Sequence, residues 1–402
     1  MPTVSRFAWA LVLCSVLLAG CWDIREPEEL VHVQVLGFDV DEEGNYLVIA
    51  QSPMPQAAMT QSDKGGGGGG AAQPFLTQSE KGQTLSQALQ NLHRVMTREL
   101  SLGHVRVILL SERLAREGID PVVDMVTRER QLRLLAGIAV VEGDLDKLMR
   151  AQFPPESIPA TGIGRMINTF GRRMAVSTSE PLLIKVVEYL RPGQDILLPR
   201  VRVTTAEPES KSTEMPGTPP MDMFGSAAFC GPRLVGWMGE RETRGWNWVK
   251  TRNRRGLLLV ELPGGCLASL LVVTSSATVE PVVDSREVRM KVKVQMGVSL
   301  TEVSGPAGIV PDLNLTDEET VLLIRRRLSE VVRNDIEMAL AKAQELGSDV
   351  FGFGNLLYRK HPELWAEVAG RWEDIFRRLP VEITVETSLC RPGFIMNTLR
   401  TR

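Results

Sequence analysis

Glu287-Val-Arg-Met-Lys-Val-Lys-Val-Gln-Met-Gly-Val-Ser-Leu300 is the stretch that decides the fold class. Val288, Met290, Val292, Val294, Met296, Val298 and Leu300 alternate with Arg289, Lys291, Lys293 and Gln295. A period of two is the side-chain period of a strand, so one face of a sheet is apolar here and the other is basic and solvated. The pattern after it has a period of 3.6. Thr316 reads as an N-cap, with Asp317, Glu318 and Glu319 in the first turn, where the helix dipole favours acids. Leu323, Ile324, Leu328, Val331, Val332, Ile336 and Leu340 form its apolar stripe, and Gly347 reads as the C′ glycine. A second helix begins near Pro362 and packs Leu364, Trp365, Val368, Trp372, Ile375 and Phe376. The strand Val381–Leu389 closes an α/β unit at 263–395, leaving 396–402 as a tail.

Working back toward the N-terminus, Leu257–Leu262 reads as a strand, as do Gly225–Cys230 and Leu234–Met238 around a Gly231-Pro232 turn. Residues 206–220 are a polar, proline-rich loop. Ile196–Val203 reads as a strand interrupted by Pro199, hence an edge strand, although it could also rejoin the sheet that precedes it. Pro181 opens a helix with Leu182, Leu183, Val186, Val187 and Leu190 on one face. The proline-rich run at 153–159 breaks the pattern, so 151–262 is expected as a middle domain. Upstream, Val31–Val40, a turn at Asp41–Gly44 and Asn45–Gln51 form a hairpin. Residues 52–73, with six glycines at 65–70, read as a flexible surface excursion. Thr84 and Gln87 fit a capping box, and Leu85, Ala88, Leu89, Leu92, Val95 and Met96 follow at helical spacing. Val105–Leu110 and Leu134–Val141 are apolar strands. Asp120-Pro121 opens one helix, with the proline at its first position, and Asp144–Arg150 is another. Residues 21–150 are therefore an N-terminal α/β domain, and the fold class is mixed α/β and α+β in three domains.

Composition excludes several functions. The 402 residues carry a formal charge of -3, without the basic excess of a nucleic-acid binder. Four histidines and five cysteines are too few and scattered for a zinc ribbon or a disulfide scaffold. Aromatic content is 5%, thin for a sugar- or base-stacking surface.

The first twenty residues read as an address. Arg6 precedes an apolar run from Phe7 to Ala19, which at about 1.5 Å per residue reaches about 20 Å, short of the roughly 30 Å of a bilayer core. Leu18-Ala19-Gly20-Cys21 resembles the lipobox of bacterial lipoproteins. That resemblance implies a diacylglyceryl group (a covalent acyl lipid such as palmitate) on the Cys21 thiol, cleavage before Cys21, and a body tethered outside the membrane. Cys14 leaves with the leader. Cys230, Cys266 and Cys390 then remain, and three thiols cannot all pair internally, although one disulfide is possible.

No enzyme site assembles. His32, His93, His104 and His361 lack ligand spacing, so no metal is expected. Lys64 precedes the glycine run where a phosphate loop needs it after, Gly162-Ile-Gly164 lacks a third glycine, and no Gly-x-Ser-x-Gly elbow occurs. Arg252–Arg255 and Arg325–Arg327 read as solvated surface that could also touch lipid phosphates or an acidic partner.

One set of landmarks carries a family resemblance. Gly20-Cys21-Trp22-Asp23, Glu29-Leu30, Leu102–Val107, Leu234–Trp237, Glu242–Gly245, Asp349-Val-Phe-Gly-Phe-Gly354, Tyr358–Pro362 and Trp365 occur in order along nearly the whole chain. They resemble the C-subunit lipoproteins of spore germinant receptors, the Ger(x)C type. The resemblance implies a non-enzymatic subunit without a cofactor, held by an acyl lipid on Cys21 to the outer face of the inner membrane of dormant spores. It implies A-type and transporter-like B-type receptor subunits as partners, and a three-domain fold of mixed sheets and helices. Glu242, Arg244, Trp246 and Trp248 read as a partner-facing docking patch; Trp237, Trp246 and Trp248 could equally be core. Gly352 and Gly354 are expected to allow a positive φ or a close approach, with Phe351 and Phe353 plugged against Trp365. The rival class is a lipid-anchored solute-binding protein of an importer, which would have two similar lobes around a cleft.

Overall fold

The structure, a computed structural model, describes residues 26–54, 75–151, 156, 159–167, 175, 177–178, 180–203, 221–222, 225–250, 255–284, 287–305 and 317–390. The expected leader and Cys21, the glycine run, the expected loop 206–220, Arg252, Arg254, Thr316 and residues 391–402 lie outside them.

A 3-10 turn at Pro27–Glu29 leads into β1 (Leu30–His32), β2 (Val35–Val40), β3 (Tyr46–Pro53) and β4 (Phe75–Gly82). Then come α1 (Leu85–Val95), β5 (Glu99–Ser101), β6 (Val107–Ser111), α2 (Glu112–Glu117), α3 (Asp120–Arg128), β7 (Gly137–Glu142), α4 (Leu145–Arg150) and α5 (Pro159–Arg165). Helix α6 (Leu182–Tyr189), β8 (Leu197–Val203), β9 (Met221–Asp222), β10 (Ser226–Cys230) and β11 (Arg233–Met238) follow. The remaining elements are α7 (Glu240–Lys250), β12 (Leu257–Leu262), β13 (Cys266–Asp284), β14 (Glu287–Ser304), α8 (Glu318–Leu346), α9 (Phe353–Lys360), α10 (Pro362–Val368), α11 (Trp372–Phe376) and β15 (Val381–Leu389).

Two sheets organise these elements. The larger has nine strands in the order β11-β10-β8-β7-β6-β2-β3-β4, with β9 beside β8. Its centre, β8-β7-β6-β2, is parallel, and its flanks are antiparallel. Parallel strands are covered on both faces, and every residue of β6 is buried. Ile108 and Leu110 face a core built with α1, α2 and α3, while Val107 and Leu109 face one built with α4 and α5. The hairpin expected at 31–51 forms, but its first strand breaks after His32. β1 leaves the large sheet to pair with β5, and the Val33 amide bonds the Ser101 carbonyl.

The smaller sheet runs β12-β13-β14-β15. β14 shows the expected alternation: Met290, Val292, Val294, Met296 and Val298 are buried, while Arg289, Lys291, Lys293 and Gln295 are exposed. The buried face packs on α8 through Ile324, Leu328, Val332, Ile336, Ala339 and Ala343. Each buried Ile, Leu or Val there contributes roughly 1.5–3 kcal/mol by leaving water, and the two alanines let the helix lie close to the sheet. Gly347 ends α8 at φ 69, and the Ser348 amide reaches back to the Ala343 carbonyl at 3.0 Å.

The structure corrects several expectations. Among the described residues, the expected middle segment 151–262 forms no sheet of its own: β8, β10 and β11 extend the large sheet, and β12 joins the smaller one. β8 is not an edge. Its pairing with β10 covers Leu197–Pro199 and its pairing with β7 begins at Arg200, so Pro199 sits where one ladder ends and the other begins. The proline's missing N–H therefore costs no ladder bond. Strand β13, 19 residues long, was not expected. Its Pro281 lies beyond the last residue paired with β12, where one side of the strand is free. Asp317, not Thr316, caps α8, accepting the Thr320 amide at 3.0 Å. In α3 the first residue is Asp120, and Pro121 is second. Helix α6 buries Leu182, Lys185 and Val186, whereas Leu183, Val187 and Leu190 are exposed.

Candidate functional site: the joint between the two sheets

Asp349 follows the glycine stop of α8 and precedes α9, whose N-cap Gly352 is left-handed at φ 68. A carboxylate there meets the free amides that begin a helix. Asp349 Oδ1 accepts from the Phe353 amide at 3.0 Å, and Oδ2 from the Gly354 amide at 2.7 Å and from Trp372 Nε1 at 3.0 Å. Gly354 is required because a Cβ would meet Trp372 Nε1 at 2.5 Å and the Gly193 carbonyl at 2.7 Å. The motif Asp349–Gly354 is thus closed on itself by its own aspartate.

From the large-sheet side a second aspartate reaches in. Asp195 Oδ2 accepts the Asp349 amide at 2.8 Å, and Oδ1 accepts the Gly231 amide, from the β10–β11 turn, at 2.8 Å. The Asp195 amide returns a bond to the Asp349 carbonyl at 3.1 Å. The Asn355 amide bonds the Gly193 carbonyl at 2.7 Å, and its Nδ2 bonds the Pro192 carbonyl at 3.1 Å. Ser348 Oγ bonds the Phe229 carbonyl. Helix α7 adds Trp246 Nε1 on the Val350 carbonyl at 2.9 Å and Lys250 Nζ on the Phe351 carbonyl at 3.1 Å. Three chain segments, 192–195, 229–231 and 246–250, therefore converge on 348–355.

Burial sets the electrostatics. It pushes the Asp195 carboxyl up to about 6, against the pull of its two backbone amides. Asp349 is raised for the same reason, opposed by the amides of Gly354 and Phe353. Lys250 is lowered by burial. Burial also works against the charge on Lys185, but Glu180 and Glu188 outweigh it and the net direction is upward. Cys230, half-buried nearby, is raised to about 11 by burial and by Asp195 and Glu373, so its thiol stays protonated and weakly nucleophilic. Cys230, Cys266 and Cys390 are all free. Among the described residues no group of three His, Cys, Asp or Glu side chains could hold a metal, and no helix is long and apolar enough to cross a membrane. A groove of about 800 Å³ between α1 and α3 is lined by residues such as Tyr46, Gln90, His93 and Arg128. The joint's carboxylates are taken up by N–H donors, and the arrangement is suited to holding two sheets in one relation.

The sequence-derived candidates separate here. Gly352, Gly354, Phe351 and Phe353 do come together, in the joint. Phe351 stacks on Phe353 at 5.3 Å, and Phe353 meets Phe376 at 6.2 Å. Trp365, expected as their neighbour, pairs with Trp372 at 5.5 Å instead. Glu242, Arg244, Trp246 and Trp248 do not form an outward patch. Trp246 and Trp248 are 2% and 0% exposed, because α7 lies in the core between α8 and the joint. Arg244 makes a two-bond pair with the buried Asp335 of α8, at 2.7 and 3.1 Å, and Glu242 takes the Gly239 amide at the start of α7. Removing Arg244 would leave a buried, under-paired charge, a loss of stability on the order of 3–5 kcal/mol. Cys21 lies outside the described residues. Asp195, Gly193, Lys185 and Lys250 were missed. The signal at hand was the Pro192-Gly193 turn followed by an acid.

Comparison with known proteins decides the family. Residues 23–203 match the model described as spore germination protein N-terminal domain, and residues 224–393 match spore germination B3/GerAC like, C-terminal. The chain belongs to the Ger(x)C family of spore germination proteins. It is 23% identical to Spore germination protein KC of Bacillus subtilis (strain 168), over 97% of this chain and 96% of that one. It is 21% identical to Spore germination protein B3 of the same organism, over 98% and 100%. The solved structure titled Crystal Structure of the GerBC protein superposes with a TM-score of 0.54 at 17% identity, over 89% of this chain and 97% of that one, which shows a shared fold. Set against the sheets, the two Ger(x)C matches interlock. The second contributes β10 and β11 to the sheet that the first builds, and the turn of that hairpin donates Gly231 to Asp195.

Proposed function

We propose that this Ger(x)C chain is a lipid-anchored, non-catalytic subunit of a nutrient germinant receptor in bacterial spores, docking beside A-type and B-type subunits. The observation that carries the reading is the pair of family matches, which begin two residues after Cys21 and run to residue 393. The lipobox-like Leu18-Ala19-Gly20-Cys21 supplies the anchor. Two acyl chains hold a water-soluble body durably where one gives marginal binding. The relatives are named as spore germination proteins, and none of those names states a reaction.

The test is made on spore membranes. The tagged chain should co-purify with an A-type and a B-type subunit, and mass spectrometry should find an acyl adduct on an N-terminal Cys21. Cys21→Ala should leave the chain in the soluble fraction and slow nutrient-triggered germination. A chain recovered without any adduct and without either partner would overturn the reading.

A further inference from the structure

Helix α6 carries a charged residue on its buried face. It buries its lysine: Lys185 Nζ lies 3.2 Å from Glu180 and 2.9 Å from Glu188, and 5.3 Å from the Trp246 ring centre. Leu182 and Val186 share that buried face, but four other apolar side chains stand in solvent, with Leu183 42%, Ile184 41%, Val187 39% and Leu190 68% exposed. The loop before β7 adjoins them, since the Leu183 amide bonds the Leu134 carbonyl at 2.8 Å, and Leu135 is 75% exposed. A soluble surface rarely collects this many large apolar side chains in one place. Burying such a helix the ordinary way round would place its aliphatic residues inward and its lysine in water.

The rim of the patch is basic. Arg130 and Arg133 lie on the same loop and Arg191 follows the helix. All three are exposed, and none has an ion pair among the described residues. The patch is also tied to the root of the N-terminal tether. β1 pairs with β5, β5 runs into Leu102, and the Leu102 amide bonds Gln131 Oε1 at 3.0 Å on that loop. The chain between Cys21 and Leu30 can stretch to no more than about 30 Å. A lipid on Cys21 would therefore hold this end of the body against the bilayer.

We propose that the exposed face of α6 and the loop around Leu135 rest on an anionic lipid surface, with the leucines entering the headgroup boundary and the arginines meeting lipid phosphates. Burial of apolar area and attraction to anionic headgroups add in such contacts. The inference rests on the lipid-anchored reading, and one experiment separates the two. A form beginning at Trp22 keeps every contact described above and lacks the acylated cysteine. Its fold is checked by circular dichroism and melting, and it is sedimented with phosphatidylcholine vesicles with or without phosphatidylglycerol. Expected is binding to the anionic vesicles that weakens with salt. It should fall several-fold in Leu183→Ser/Leu190→Ser and in Arg130→Glu/Arg133→Glu, with melting unchanged. No binding by the parent form, or equal binding by the variants, would overturn the proposal. So would self-association of the parent that the leucine variant abolishes, which would make a second copy the occupant. An unacylated Cys21 in the full chain with vesicle binding intact sinks the anchor alone; an acylated Cys21 with no vesicle binding by the Trp22 form sinks this proposal alone.

Discussion

Asp195 and Asp349 answer each other's backbone across the joint, and each carboxylate oxygen of the pair accepts at least one N–H. Those bonds compensate for burying the charge only in part, since burial still carries Asp195 from its ordinary value of 3.8 up to about 6. The sign follows from proton counting. Between those two values the folded state holds more protons than the unfolded state. The stability from this group is therefore fully present below about 3.8 and is lost as pH rises through about 6. A shift of that size is worth about 3 kcal/mol at most. Asp195→Asn does not titrate, so urea unfolding should show wild type gaining on the variant by up to that amount between about pH 8 and about pH 4. A difference that stays constant over that range would contradict the shift. Arg244 and Trp246 teach a related lesson at single residues. A segment mixing Glu, Arg and Trp has the composition of an interface, and it also has the composition of a buried helix whose arginine pairs with Asp335. Only the location of the partner distinguishes them.

At the level of elements, β14 was legible because its alternation is a local, repeated signal, with five buried positions set against four exposed polar ones. Replacing Val294 by Asp would put an unpaired carboxylate between β14 and α8, at a cost of several kcal/mol. Lys293→Gln removes only an exposed pair to Glu386 at 2.6 Å and should change stability by less than about 1 kcal/mol. Thermal melts of the two variants check this, and equal effects would mean the strand's faces are not as described. The capping box of α1 was equally legible: the Gln87 amide bonds Thr84 Oγ1 at 3.1 Å. Strand β13 was not, because serines, threonines and Pro281 dilute its pattern where β12 no longer pairs with it. The buried face of α6 was not either. Its apolar residues encircle most of the helix, and their spacing alone cannot say which side meets the sheet.

At the scale of the whole molecule, the two family segments share one architecture. β10 and β11 complete the large sheet, α7 packs in the core of the C-terminal half, and the joint at 348–355 ties both to the turn at 192–195. Such a body should unfold as one unit, because neither sheet can lose its partner without exposing the joint's buried carboxylates. Calorimetry should show a single transition for the wild type. Gly354→Val, whose side chain collides with Trp372 and the Gly193 carbonyl, should lower it by several degrees or split it in two. An unchanged single transition in that variant would refute the coupling. The alternation of β14, the cap of α1 and the glycine stop of α8 were settled by residue order, since each depends on neighbours within a few positions of the chain. Strand partners, the placement of β8 inside the sheet, the burial of Trp246 and the outward turn of α6 were decided only in three dimensions. Those depend on backbone bonds and packing between segments far beyond the reach of a local pattern, as in the Arg200–Val140 pairing and the Trp246–Val350 bond, and a spacing rule carries no information about which distant surface arrives to cover a given face.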